Sequence, residues 1–254
     1  MELAILASGS KGNATLISTA DGGLLIDNGL SCRELYRRLE MVELNPASIQ
    51  ALFVTHEHSD HIKGVGILAR KMRIPVYIKR STLAATRNIF RGDEDIRILE
   101  EHNEVCGLVV SPLQVAHDVV DPCAFLVSDG RRKLAVITDL GFPTKAVQHE
   151  LGDLDALVIE SNHCPAMLRN GPYPWFLKQR ISGRHGHLSN IQTGEMLREH
   201  LGEKARLVYL AHLSEQNNEP ELALATAQSY LEHRPQLTLK VAGQYEPSAT
   251  ESIL

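Results

Sequence analysis

One short segment, Thr55–His61, constrains what this chain can be more than any other feature does. Its sequence, THEHSDH, places three histidines and an aspartate within six residues, after a predicted strand and at the start of a predicted helix. On an extended turn the rings of His56 and His58 point the same way, whereas Asp60 and His61 are aimed at a second point. Imidazole and carboxylate are common ligands of divalent metals. The segment therefore predicts two adjacent metal ions. The alternative is a solvated histidine-rich turn, but this composition gives HxHxDH by chance in only about one shuffled sequence per thousand.

Length and composition limit the class of protein. The 254 residues, 43% of them apolar, predict one domain over residues 1–254 with a substantial core. A net charge of −5 argues against a global attraction to nucleic acid or to an anionic membrane, and leaves room for a local basic patch. No apolar run approaches the roughly 20 residues of a membrane span, and the first residues read as a strand instead of a signal peptide. The four cysteines form no CxxC pair, which favours a reducing cytoplasm: Cys32, Cys106, Cys123 and Cys164.

Short apolar strands repeatedly end in polar residues suited to metal or acid–base chemistry. In layered α/β folds such groups gather at the ends of strands. Hairpin patterns alternate with strand–helix units, which predicts an α/β fold of two mixed β-sheets flanked by helices. Helical spacing extends over Ser31–Met41, His61–Met72 and Asn190–Leu201, whereas the proline-containing residues 165–174 read as loop. The polar residues at the predicted strand ends are Asp27, His56, His117, Asp139, Glu160 and His212.

These strand ends supply enough ligands for a dinuclear hydrolytic centre. Such a centre needs about three protein ligands per metal, a bridging carboxylate and an open position for water, which becomes hydroxide near neutral pH. A lone histidine after a strand is more often structural, but beside HxHxDH it becomes a ligand candidate. Histidine and carboxylate suit Zn²⁺, Mn²⁺ and iron alike, so the metal stays open. The predicted sets are His56, His58 and His117 for one metal, Asp60, His61 and His212 for the other, and Asp139 as the bridge. Asp60 is also predicted to orient the attacking water.

At this point the chain resembles a known superfamily. THEHSDH, followed by AHD, TDLG and AHLS, resembles the metallo-β-lactamase fold. LASGSKGN, HIKGVGILARK, ESNH, YPWFLKQRI, GHLSN and HLSEQNN resemble the YycJ-type (WalJ-type) branch over nearly the whole chain. The resemblance implies an αββα sandwich, two divalent metals at the sheet edge held by the ligands above, and a cytoplasmic enzyme with 5′→3′ exonuclease activity on DNA. It also implies that Asp27 orients the metal loop without binding metal.

A second pair of residues is a candidate for proton transfer. GHLS, residues 186–189, resembles a motif of the ribonuclease Z relatives, in which an acidic residue and a histidine handle protons near the scissile phosphate. Glu160 could hold a charged His187, which could then protonate a leaving alkoxide. A structural hydrogen bond between the two is the alternative. His163 stands beside the pair and is predicted to contact either phosphate or metal. The branch carries Asp where this chain has Cys164, which leaves the role of His163 and the metal open.

A basic and aromatic stretch precedes His187 and is a candidate for substrate contacts. Cations bind phosphate oxygens, and aromatic faces stack on the bases of a single strand. The stretch includes Trp175, the only tryptophan of the chain. The alternative is that its aromatic residues pack in the core while its cations are solvated. The predicted substrate contacts are His163, Lys178, Arg180 and Arg184.

Three functions from different classes fit these features. The first is a metal-dependent phosphodiesterase or nuclease acting on nucleic acid, with the resemblance favouring 5′→3′ hydrolysis of DNA over RNA. The second is a metallohydrolase of a small phosphodiester or thioester, since no inserted substrate-clamping arm is evident. The third is a metal-containing regulatory or binding module with little turnover, which the intact ligand set argues against. No feature of the sequence selects an oligomeric state.

Overall fold

The computed structural model describes residues 1–86 and 88–253. In this part of the chain, fourteen strands form two β-sheets of seven strands each. In spatial order the first sheet consists of β14 (Glu251–Ser252), β1 (Glu2–Ala7), β2 (Ala14–Thr19), β3 (Gly22–Ile26), β4 (Ile49–Phe53), β5 (Val76–Ile78) and β6 (Ile96–Ile98). The second consists of β13 (Thr238–Val241), β12 (Leu207–Ala211), β11 (Ala156–Glu160), β10 (Lys133–Ile137), β9 (Cys123–Ser128), β8 (Leu108–Gln114) and β7 (Asn103–Val105).

Both sheets are mixed, as predicted. In the first, β14, β1, β2 and β3 pair antiparallel, and β3 to β6 pair parallel. In the second, β7 to β10 pair antiparallel and β10 to β13 pair parallel. Parallel strands bring their carboxyl ends to one edge of a sheet. The segments after β3, β4, β10, β11 and β12 carry most of the predicted site residues, so this topology gathers them.

Helices cover the outer face of each sheet and complete the αββα order of layers. Leu35, Leu39 and Leu68 belong to the core under the helices of the first sheet, and Met196 and Leu197 to that of the second. No helix among the described residues is both long and apolar enough to cross a bilayer. The helices are α1 (Cys32–Met41), α2 (Ser59–Ile62), α3 (Val65–Met72), α4 (Arg80–Ala85), α5 (Lys145–Glu150), α6 (Pro165–Asn170), α7 (Trp175–Ile181), α8 (Asn190–His200) and α9 (Pro220–Tyr230).

The two sheets pack against each other through a core of apolar and aromatic side chains. The ring of Phe53 stacks on Tyr77 with centroids 4.5 Å apart, and meets Phe125 of the other sheet edge-on at 5.5 Å. Phe53 and Leu52 are neighbours on β4, yet Leu52 belongs to the core beneath the helices. This is the alternation of side chains expected of a strand buried on both faces.

The single helix predicted over residues 61–72 is wrong. The chain forms α2 from Ser59 and then α3 from Val65, with a break at Gly64. A Cβ on Gly64 would lie 1.9 Å from the carbonyl oxygen of Leu30, and the Gly64 N–H donates to Asn28 O at 2.8 Å. The backbone contact of the strand loop with this glycine therefore fixes the break, and a hydrophobic pattern within the helix cannot reveal it.

The predicted loop over residues 165–174 is also partly wrong. Pro165 is the first residue of α6, and Pro174 immediately precedes α7. Proline is well suited to the first turn of a helix, where its missing N–H costs nothing. These prolines therefore mark helix starts. Other predicted helices are confirmed: α1 and α8 end within one residue of their predicted bounds.

Substitution of the N-terminal cap residue of α1 tests whether its side chain stabilises this helix. The Ser31 hydroxyl accepts a hydrogen bond from Glu34 N at 3.2 Å at the start of this helix. We expect Ser31→Ala to lower the free energy of unfolding by about 1 kcal/mol, because it leaves that N–H without its side-chain acceptor. Urea denaturation measures the change, and Ser31→Asn, which keeps an acceptor, serves as the control. Equal midpoints for Ser31→Ala and the wild type would contradict the capping role.

Candidate metal centre

The residues predicted as metal ligands converge at the edge where the parallel strands end. Within each set below, one potential ligand atom per residue lies within 4.8 Å of the others. The convergence joins the motif loop after β4 to residues that are more than 50 positions away in the chain. The sets are His56, His58 and His117; Asp60, His61 and His212; and His56, His61 and Asp139.

Asp27 fixes the motif loop through hydrogen bonds to two of its residues. Its carboxylate accepts hydrogen bonds from Thr55 N at 2.9 Å and Thr55 Oγ1 at 2.7 Å. It also accepts one from His61 Nδ1 at 2.7 Å. Asp27 belongs to none of the ligand sets found among the described residues. Its contacts are those of a residue that orients the loop, as the resemblance implies.

Four histidine rings are oriented in the same way. Each engages Nδ1 with a neighbouring oxygen, so that Nδ1 carries the proton and the lone pair of Nε2 remains for a ligand. Acceptors of this kind fix both the tautomer and the orientation of metal-binding histidines. The four contacts are His56 to Thr55 Oγ1 at 2.9 Å, His61 to Asp27 Oδ2 at 2.7 Å, His117 to Gly186 O at 3.0 Å and His212 to Glu160 Oε1 at 3.0 Å.

The opposite ends of three of these rings, and one carboxylate oxygen, lack protein partners. The Nε2 atoms of His56, His117 and His212 and the Oδ2 atom of Asp139 are buried without a hydrogen bond to any described residue. Leaving buried polar atoms unpaired costs about 1–3 kcal/mol each, more for charged groups. A divalent cation satisfies nitrogen lone pairs and carboxylate oxygens together. The donor set therefore fits the metals that the fold implies.

Two carboxylates lie between the histidines. Asp139 Oδ2 is 3.2 Å from His61 Nε2, and Asp139 Oδ1 is 3.7 Å from His117 Nε2. Asp60 Oδ2 is 3.4 Å from His61 Nε2 and 3.5 Å from His212 Nε2. Asp139 thus reaches both halves of the centre, and Asp60 reaches one.

Burial and opposite charges set the protonation of this cluster in the absence of a cation. Burial lowers the pKa of His56 well below its usual value, which favours the neutral imidazole that binds metals. Burial alone would raise the pKa of Asp139, but His212 and His61 hold it well below its usual range. Burial alone would lower the pKa of His212, but Asp139, Asp60 and Glu160 raise it to about 10. A bound cation takes the place of such protons.

Glu160 and His187 form the predicted pair. Glu160 is fully buried, and its Oε1 accepts from His187 Nδ1 at 2.7 Å. Burial alone would raise the pKa of Glu160, but the charge and hydrogen bond of His187 lower it to about 2. Burial alone would lower the pKa of His187, but Glu160 raises it. The pair therefore stabilises a charged imidazolium whose ring lines the cavity over the centre.

Glu160 has a second role that sequence reasoning did not separate from the first. Besides His187 it accepts from His212 Nδ1, and its Oε2 accepts from Leu188 N at 3.0 Å and Leu140 N at 3.3 Å. A further set, Asp139, Glu160, His187 and His212, also has metal-binding spacing. Because the Glu160 oxygens already accept four N–H bonds, we assign this carboxylate to support of the two histidines.

Sequence reasoning missed the contribution of the glycine-rich loop before β2. Asn13 Nδ2 donates to Asp60 Oδ2 at 3.1 Å and lies 3.0 Å from His61 Nε2. Ser8 Oγ accepts from His212 N at 2.7 Å. The loop thus supports the centre. An asparagine or serine in such a loop carries no spacing signal that would have revealed these contacts.

The four predicted substrate contacts are separated in space. Arg180 lines the cavity of about 310 Å³ over the centre and pairs with Asp118. Lys178 turns away, because its Nζ donates to the carbonyl oxygens of Arg169 and Gly171 at 2.7 Å. Arg184 lies over the ring of Phe142, 4.5 Å from its centroid, and His163 is buried beside a second cavity. Neither of these two residues lines the first cavity.

The aromatic residues of this stretch do not pack in the core. Trp175 is 68% exposed and Phe176 is 71% exposed. The alternative of a buried aromatic pair is therefore wrong. Cys164 precedes α6 as its N-terminal cap residue and occurs in none of the ligand sets formed by described residues.

Comparison with known proteins agrees with this geometry. The model of the beta-lactamase superfamily domain matches residues 23–213. The chain is 36% identical to exodeoxyribonuclease YycJ of Bacillus anthracis, over 92% of this chain and 90% of the relative. It is 35% identical to exodeoxyribonuclease WalJ of Streptococcus pneumoniae, over 87% of this chain and 85% of the relative. The crystal structure of the metallo-beta-lactamase fold protein YhfI from Bacillus subtilis superposes with a TM-score of 0.74 at 16% identity, over 97% of this chain and 98% of that chain. By its sequence, its two mixed sheets and its histidine-rich strand edge, this chain belongs to the beta-lactamase superfamily and, within it, to the family of the YycJ and WalJ exodeoxyribonucleases.

Proposed function

We propose that this protein is a dinuclear metal-dependent exodeoxyribonuclease that hydrolyses DNA phosphodiester bonds from the 5′ end. The observation that carries the proposal is the set of buried, unpartnered Nε2 and carboxylate atoms that face one another beside an open cavity. The names of the relatives support DNA as the substrate. We propose the cytoplasm as the compartment, since all four cysteines are free thiols.

The proposed ligand assignment follows the geometry of the side chains. Divalent ions, Zn²⁺ or Mn²⁺ and with iron also suited, would polarise the phosphoryl group and lower the pKa of water. Asp139 would contact both ions, because its two oxygens face different histidines. The histidines and the second carboxylate divide as His56, His58 and His117 on one side, and Asp60, His61 and His212 on the other.

The residues around this centre have distinct proposed roles. Asp60 faces the cavity and orients the attacking water through its carboxylate. His187 donates a proton to the leaving alkoxide, and Glu160 keeps that imidazole charged until it does so. Arg180 contacts the phosphate chain at the cavity mouth, where Asp118 holds its guanidinium in place. The proton of the leaving group is thus supplied by a side chain that is not needed as a ligand.

A second candidate function is a hydrolase of a small phosphodiester or thioester. The cavity of about 310 Å³ falls within the range of about 300–1,000 Å³ that is typical of small-molecule sites. Such an enzyme would share the whole centre. It would differ in having no preference for a polymer end and no dependence on phosphate contacts beyond the scissile bond.

The assay that separates these functions uses end-labelled DNA and RNA, single- and double-stranded, with bis-p-nitrophenyl phosphate as a small substrate. We expect stepwise release of nucleotides from the 5′ end of DNA after addition of Mn²⁺ or Zn²⁺, and loss of all turnover after chelation. RNA should be a poorer substrate than DNA. Arg180→Ala should flatten the salt dependence of DNA cleavage, because each lost phosphate contact lowers the slope by about 1. Hydrolysis of the small substrate with no cleavage of any polymer would overturn the proposal in favour of the second candidate.

A further inference from the structure

Helix α7 is a shared wall between the catalytic cavity and a second, smaller cavity. Leu177, Arg180 and Ile181 line the first. Trp175, Lys178 and Gln179 line the second, which has a volume of about 240 Å³. Residues three and four positions apart lie on one face of a helix, so the two sets belong to different faces. A ligand that crosses this helix therefore reaches from the catalytic cavity into the second one.

The second cavity has the chemistry of a site for a flat, uncharged group. Pro165, Leu168 and Trp175 give it apolar walls. Two cations line it: Lys178, whose ammonium is already engaged by two backbone carbonyl oxygens, and Arg169, which is exposed to solvent. The volume lies below the range of about 300–1,000 Å³ that holds drug-sized molecules. A single planar ring system fits these properties better than a phosphate does.

His163 lines this cavity and contributes a polar atom that lacks a protein partner. The residue is 2% exposed, and its Nδ1 forms no hydrogen bond with the described residues. Its position is fixed by the backbone, because His163 O accepts from Asn190 N at 2.9 Å. Burial lowers the pKa of His163 to about 4, so the ring is neutral near pH 7. A neutral imidazole offers one donor and one acceptor, which matches the donors and acceptors at the edge of a base.

We propose that this second cavity, lined by His163, Leu168 and Trp175, is a nucleobase subsite. The base of a nucleotide near the scissile phosphate stacks on Trp175 and meets the imidazole of His163, while its phosphate chain passes over α7 into the catalytic cavity. The indole is suited to this role because it is exposed at the cavity rim and because stacking on aromatic rings tolerates every base. This inference rests on the proposed hydrolysis of DNA.

The test measures binding of single-stranded DNA whose linkages are phosphorothioates that resist hydrolysis. Trp175 is the only tryptophan, so the fluorescence of the wild-type protein reports directly on this cavity. A single abasic residue is moved along the strand, and affinities for wild type and Trp175→Ala are compared by anisotropy of a labelled strand. Trp175→Phe retains a ring. Phe176→Ala removes an equally exposed ring that lines neither cavity.

We expect indole quenching on binding and a loss of affinity of about 5- to 150-fold when the abasic residue occupies one particular position near the 5′ end. Trp175→Ala should bind intact DNA as weakly as the wild type binds the strand that is abasic at that position, and the abasic residue should cost this variant no further affinity. Trp175→Phe should retain most of the affinity loss that the abasic residue causes. Phe176→Ala should retain all of that loss. His163→Leu should change the preference among bases at that position alone. The subsite is overturned if abasic penalties are equal in wild type and Trp175→Ala while DNA is still cleaved. Absence of both DNA binding and cleavage by the metal-loaded wild type overturns the proposed function, and the subsite with it.

Discussion

Asp60→Ala should lower turnover by at least about 10³-fold, on DNA and on bis-p-nitrophenyl phosphate alike. Losing one metal of a dinuclear centre removes several kcal/mol of transition-state stabilisation, and each 1.36 kcal/mol is a factor of about ten in rate. The Asp60 carboxylate lies within 3.5 Å of the Nε2 atoms of both His61 and His212. It also faces the cavity where the attacking water would stand. The substitution therefore removes a ligand and the orienting group together.

The variant should still fold, which makes the result interpretable. The Asp60 side chain is 20% exposed at the cavity, and its removal leaves the hydrogen bonds of Asp27 to the motif loop intact. Elemental analysis should show about one metal per chain where the wild type holds two. Asp95→Ala, which removes an exposed carboxylate that pairs with Arg97, is the matched control and should retain full turnover. Activity within tenfold of the wild type in metal-replete Asp60→Ala would contradict the assignment.

The candidate ligands that lie together in the motif loop could be predicted from the sequence. The candidate ligands in distant segments depend on how the strands are arranged. The motif loop fixes four candidate ligands by spacing alone. His117 and His212 are single histidines in unrelated segments, and only the strand topology makes them interpretable. His212 follows the parallel strand β12. His117 follows β8, which runs in the same direction as β10 because both pair antiparallel with β9. The backbone at this edge was beyond prediction: Asp139 and His212 both adopt positive φ, 58° and 54°. Such strained conformations cost about 1–3 kcal/mol and persist only where the surrounding structure enforces them.

The substrate side was less predictable, because a cluster of cations in sequence does not say which way each one points. Lys178 and Arg180 are two residues apart, and no helix was predicted for the stretch that carries them. In a helix, residues at that spacing lie on opposite faces. α7 therefore sends Arg180 to the catalytic cavity and Lys178 toward backbone carbonyls. Without a predicted helix there, the sequence could not assign these two cations to different faces.

His187→Ala should lower cleavage of DNA by about 10²–10⁴-fold, the usual loss on removal of a general acid. The leaving group in DNA is a sugar alkoxide, which departs poorly unless it is protonated. Turnover of bis-p-nitrophenyl phosphate should change little, since p-nitrophenolate leaves without a proton. Metal content should be that of the wild type, because the ring uses Nδ1 to bind Glu160 and belongs to neither of the two proposed three-residue ligand sets. His185→Ala, which removes an exposed histidine two residues away, is the matched control and should behave as wild type.

The pH profile adds an independent readout of the same role. Glu160 raises the pKa of His187 against the effect of burial, so the acid form persists above the usual histidine range. Since a general acid must be protonated to act, DNA cleavage should fall as pH rises through the pKa of His187, and this alkaline limb should vanish in His187→Ala. The small substrate should show no such limb. Glu160 is a poor target for the same test, because its carboxylate also orients His212 and its loss would disturb the metals. Equal losses on both leaving groups in His187→Ala would make the histidine a structural or ligand residue, and the proton-transfer role would fail even with two metals in place.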